Sequence, residues 1–102
     1  MSTTTPQLAK TEAAIFGRVV QPNRANLSAA AARAILELRF DQADIDQMRV
    51  LSDKARQGTL TPVEQEEINN YERVGHMLAL MKSKARRSLK LHDEANGKRK
   101  TR

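Results

Sequence analysis

His76 and His92 are the only two imidazoles in the chain, and sixteen residues separate them. Helical metal ligands recur three or four residues apart, and Glu72 lies four residues before His76. One Glu/His pair leaves a tetrahedral ion two ligands short. A solvated side chain is the plainer reading of both histidines, and neither a metal nor a cofactor is expected. Cysteine is absent, which removes thiolate ligands, thiol nucleophiles and disulfides together.

The carboxylates that cluster do so at helix starts. Glu64, Glu66 and Glu67 fall in the first turns of one expected helix, where the helix dipole favours anions without any acid–base role. Serine and threonine hydroxyls have no base in a recognisable motif. The four glycines stand at 17, 58, 75 and 97, too scattered for a phosphate-cradling loop. The chain is therefore expected not to be an enzyme.

The charges that remain are basic. Lys82, Lys84, Arg86, Arg87 and Lys90 crowd nine residues, and Lys98, Arg99, Lys100 and Arg102 follow. Lys82, Arg86 and Lys90 step by four and share one helix face. Such a surface attracts phosphates or an acidic protein. Dipole compensation and solubility account for a few of these charges and leave the rest over. No aromatic residue interleaves with them, which disfavours stacking on single-stranded bases. Residues 37–72 carry four basic and nine acidic side chains, whereas 82–102 carry nine basic and two acidic. The molecule is a charge dipole with an acidic middle and a basic end.

The elements that must position these residues are helical. Ala, Leu, Glu, Gln, Lys and Arg dominate the 102 residues, and all are good helix formers. Residues 15–22, IFGRVVQP, are short, apolar and closed by Pro22. They read as an extended segment or one short strand. Ser28 is a suitable N-cap for a first helix over 28–39. Asp41 or Asp44 can cap a second that runs to Gln57, with Ile45, Met48, Leu51 or Ser52, and Ala55 as its apolar stripe. Gly58 fits the left-handed closing position. Thr61, Pro62 and Glu64 form a capping box with proline at the first helical position. A third helix then runs from Pro62 to about Leu91, packed through Ile68, Tyr71, Val74 or Gly75, Leu78, Met81, Ala85 and Leu89. The four-residue link predicts an antiparallel hairpin of helices two and three. Gly75, inside the third helix, is read as a point of close helix approach.

Two apolar features are left without cover. One is the segment holding Ile15, Phe16, Val19 and Val20. The other is the belt MLALM at 77–81, apolar around the whole helix and including Met77, Leu80 and Met81. Uncovered apolar surface marks a partner site or a dimer seam. No apolar run approaches the roughly 18 residues of a membrane span. No secretory leader is recognisable either, so a cytoplasmic protein without membrane contact is the expectation.

Parts of the sequence resemble a family of small bacterial proteins abundant in planctomycetes. The match runs through GTLTPVEQE at 58–66 and NYERVGHMLALMKSKARRSLK at 70–90, with IFGRV at 15–19 and LSAAAARAIL at 27–36. It spans about residues 13–91. Members of that family have no assigned activity, but similar genes lie beside nucleases of the HNH type. The resemblance implies an antitoxin-like or accessory role toward such a nuclease, and it transfers no catalytic residue.

The expectation is thus an all-α protein of three helices with a long last helix. Residues 1–12 would be a flexible N-terminus, 13–92 one helical domain, and 93–102 a basic disordered tail. It would bind protein through Ile15, Phe16, Val19, Val20, Met77, Leu80 and Met81, with a homodimer as one possibility. The alternative is nucleic-acid binding of low sequence specificity through Lys82, Lys84, Arg86, Arg87 and Lys90.

Overall fold

The computed structural model describes residues 8–97 with their side chains and 98–100 as backbone. All its regular structure is helical: α1 (Glu12–Val20), α2 (Ala29–Leu36), α3 (Gln42–Gln57) and α4 (Pro62–Lys100). Most of the expected flexible N-terminus lies outside the described residues, as do the last two residues of the tail.

Four helices stand where three were expected, and the extra one is α1. The segment at 15–22 is not extended. Thr11 caps a helix, its hydroxyl accepting from the Ala14 amide at 3.1 Å. Glu12, Ala13 and Ala14 then supply a helix-favouring first turn ahead of the β-branched residues. Phe16 and Val20, one turn apart, are half-buried, while Val19 is 75% exposed. Helical periodicity with tertiary cover overrides the local preference of Ile15, Val19 and Val20 for extended backbone. The helix ends at Gln21, which takes a left-handed φ of 53° just before Pro22.

The capping expectations hold at Ser28, Gly58 and Thr61, but not at the start of α3. Ser28 Oγ accepts from the Ala31 amide at 3.1 Å. Gly58, at φ 71°, closes α3. At the start of α4 the Glu64 amide donates to Thr61 Oγ1 at 3.1 Å, and the Thr61 amide donates to Glu64 Oε1 at 3.0 Å. Asp41 stands at the N-cap position of α3, but its side chain makes no capping hydrogen bond, and Asp44 accepts from the Tyr71 hydroxyl at 2.7 Å.

The 39 residues of α4 make a rod about 58 Å long, against which the other helices lean. It does not stop near Leu91 but runs on to Lys100, so residues 93–100 are helical where the sequence predicts a disordered tail. Asp93, Glu94 and Ala95 are compatible with a helix, and one exposed Gly97 costs too little to end it. The closest packing on this rod is that of α2, followed by α1. The close hairpin expected of α3 and α4 is a looser arrangement. Gln47 reaches Glu67 at 3.0 Å, Lys54 pairs with Glu64, and Tyr71 meets Asp44, yet between these ties the helices part around a cleft.

The result is a plate with extents of 62 × 51 × 18 Å and a radius of gyration of 19.0 Å. A compact chain of this length would measure about 13 Å. Among the described residues only Ala32, Leu51, Ala85 and Ser88 are fully buried.

The junction of α3 and α4 has a defined pH response. The Lys54 ammonium, helped by the Thr61 amide, holds the Glu64 carboxyl below the usual glutamate range. A lowered folded pKa gives stability that is present above the unfolded value and lost as pH falls through the folded one. Acid titration followed by circular dichroism should therefore show a loss of stability below the usual glutamate range, and Glu64→Gln should remove that component. Thr61→Ala, read by urea denaturation at neutral pH, should cost about 1 kcal/mol.

Candidate functional site

The connector between α1 and α2 is bound to α4 by polar side chains. Lys84, Ser88 and His92 stand at successive steps of four along one strip of α4. The Lys84 ammonium donates to the Val20 carbonyl at 2.7 Å, one of the carbonyls left open at the end of α1, where a cation is favoured. The Ser88 hydroxyl accepts from the Leu27 amide at 3.1 Å. His92 Nε2 lies 3.0 Å from the Leu27 carbonyl. A carbonyl only accepts, so Nε2 carries the proton in this bond. Beside the strip, Arg87 donates to Asn23 Oδ1 at 2.6 Å.

Sequence reasoning missed this clamp. The solvated reading of His92 agrees with its exposure but leaves out its bond to Leu27, and the sequence gives Ser88 no part. The available signal was the four-residue spacing of three polar residues on a helix whose apolar stripe lies alongside. The small residues have a related function. Ala32 on α2 and Ala85 and Ser88 on α4 are all fully buried, and small side chains at a crossing let helix axes approach closely.

The apolar candidates divide into covered and open groups. α1 comes close to α4, since a Cβ placed on Gly17 would sit 3.5 Å from Leu80 Cδ1. Phe16, Val20, Met77, Leu80 and Met81 are all half-buried. The two features read as separate uncovered surfaces therefore partly cover each other. Ile15, 46% exposed, and Val19, 75% exposed, stay open to solvent. Val19, Val20 and Met81 come together with Leu27, Ile35 and Lys84 around a depression of about 280 Å³.

A larger cleft, about 430 Å³, separates α3 from α4. Phe40, Met48, Leu51, Ile68 and Tyr71 give it apolar walls, and Phe40 meets Tyr71 edge to face at 6.0 Å between ring centres. Gly75 lies on its floor. A Cβ added there meets nothing within 4 Å. The expectation that Gly75 permits close approach of another helix of this chain is therefore wrong, because α3 stands away from it.

The basic candidates divide in the same way. Lys84 and Arg87 are engaged by the connector. Lys82, Arg86 and Lys90 make no hydrogen bond or ion pair among the described residues, and Arg86 and Lys90 are exposed. No group of three or more His, Asp or Glu among the described residues could hold a metal ion. No helix among them is long and apolar enough to cross a membrane.

No family model matches the chain, and neither a curated protein nor a solved structure does so.

Ser88→Ala should leave the part-buried Leu27 amide without its acceptor and cost roughly 1–3 kcal/mol in urea denaturation. A loss below experimental error would remove Ser88 from the clamp. Gly75→Ala should raise the stability of the isolated, monomeric chain by about 1 kcal/mol, because within the chain the new methyl meets nothing within 4 Å in a helix interior.

Proposed function

We infer that the chain is a non-catalytic protein-interaction module. One observation carries the reading: four buried residues among those described, in a plate 18 Å thick. A helical chain this open gains most of its remaining stability from surface covered by another molecule. The exposed side chains of Ile15 and Val19, beside the half-buried Phe16 and Met77, offer apolar contact without a reactive group in reach. The resemblance to proteins encoded beside HNH-type nucleases supports an antitoxin-like or accessory role, in which occupying a partner's surface is the whole task.

The test is coexpression of the tagged chain with the product of its neighbouring gene. The expected result is co-purification and relief of that product's toxicity. Val19→Asp should abolish both while shifting the stability of the isolated chain by no more than about 0.5 kcal/mol, as at other exposed positions. Failure of the wild-type chain to bind that product or relieve its toxicity would end the antitoxin-like reading.

A second reading has its own observation, the unpaired strip of Lys82, Arg86 and Lys90. It supports nucleic-acid binding through phosphates, with little sequence preference. Lys84 and Arg87 contribute less than their sequence suggests, being committed to the connector. Electrophoretic shifts of duplex and single strands at low salt should show binding that weakens steeply with salt. Replacing Lys82 and Lys90 with Ala should flatten the salt slope by about two phosphate contacts. An absence of any shift at low salt would assign the strip to protein contact or solubility.

A further inference from the structure

Along one side of α4, Glu72, Gly75, Ala79, Ser83, Arg86 and Lys90 follow at steps of three or four residues. That spacing places them on one helix face. Glu72, Ala79, Arg86 and Lys90 are exposed, and Gly75 and Ser83 are half-buried. No hydrogen bond or ion pair engages Glu72, Arg86 or Lys90 among the described residues. The face borders the open α3–α4 cleft, which Glu72 and Gly75 help to line.

Charge reverses along this rod. Residues 62–81 hold four acidic side chains and one basic, a net charge of −3, while 82–100 hold eight basic and two acidic, a net charge of +6. Of the four acidic side chains, Glu64 is held by Lys54, Glu66 by Arg73 and Glu67 by Gln47. On the face itself Glu72 therefore stands at one end and Arg86 and Lys90 at the other, and these charges exchange places when the face is turned end for end. We propose that the face is the contact between two copies of the chain, with their α4 helices antiparallel and the two-fold axis beside Ala79. Glu72 and Arg86 stand seven residues to either side of Ala79. A two-fold axis there sets Glu72 of each copy against Arg86 of the other, giving the pair twice. Gly75 and Ser83 flank the axis at four residues on each side, and their small side chains admit a neighbouring helix. The parallel alternative would stack basic half on basic half.

An interface of ordinary size takes about 800 Å² from each partner, roughly a tenth of the 7819 Å² this chain exposes. The dimer also gives Gly75 a use that packing within the chain does not. This inference goes beyond the partner reading, since it concerns only the chain and its copy.

Sedimentation equilibrium of the purified full chain at micromolar concentration and low ionic strength tests it. The wild type should dimerise and dissociate as salt rises. Glu72→Arg and Arg86→Glu, each alone, set like charges together and should weaken the dimer by at least about tenfold. An equimolar mixture of those two variants should restore it, because every facing pair is again one Arg and one Glu. Ala79→Glu, at the axis, should break the dimer independently. Circular dichroism should show all three variants as helical as the wild type. A monomeric wild type would overturn the proposal. So would single variants that dimerise like the wild type, or a mixture no tighter than either variant alone.

Discussion

The grip of α4 on Leu27 is the contact on which the rest of the arrangement depends. Both backbone groups of that residue are held from one helix, its amide by Ser88 and its carbonyl by His92. Four residues before Ser88, Lys84 closes the end of α1. The connector is thereby fixed at both ends along a single strip, and α1 and α2 are set in place on the rod. Without these bonds, α1 and α2 would be short amphipathic helices of nine and eight residues, below the length at which isolated helices persist in water. Polar bonds to the backbone do here what a hydrophobic core does in a thicker domain. No buried side-chain nitrogen or oxygen among the described residues is left without a partner, so the arrangement avoids the penalty of half-satisfied polar groups.

That mode of assembly explains the shape. Side chains as small as Ala32, Ala85 and Ser88 let α2 lie close to α4 but bury little apolar area. Among the described residues Leu51 is the one large apolar side chain fully buried, and it lines the cleft where α3 stands apart from α4. α3 is held by its ends and polar ties, with Lys54 on Glu64 and Tyr71 on Asp44. Open spaces are left beside α1 and between α3 and α4.

What could be read from the sequence was local. Ser28, Gly58, Thr61 and Glu64 announce helix ends because a cap is made by residues within one turn of one another. The all-helical class follows from composition. The identity of α1 was not legible, because Ile15, Val19 and Val20 prefer extended backbone and become helical only with α4 beside them. The clamp was not legible for a related reason. Leu27 and Ser88 are 61 residues apart, and nothing in either neighbourhood names the other. Gly75 misled in the opposite sense. A glycine inside a helix suggests close approach, but the chain itself supplies nothing to approach it. Among the basic residues, sequence could not separate Lys84 and Arg87, which hold the connector, from Lys82, Arg86 and Lys90, which do not.

Hydrogen exchange at the Leu27 amide tests the clamp most directly. Leu27 lies in a connector outside any helix, where an ordinary amide would exchange at close to the free rate. If Ser88 and His92 hold it as described, its exchange should be slowed to the level of the α4 amides around Ala85, and both should be released together as denaturant is added. Exchange of Leu27 at the rate of a solvent-exposed loop, with α4 still protected, would contradict the account.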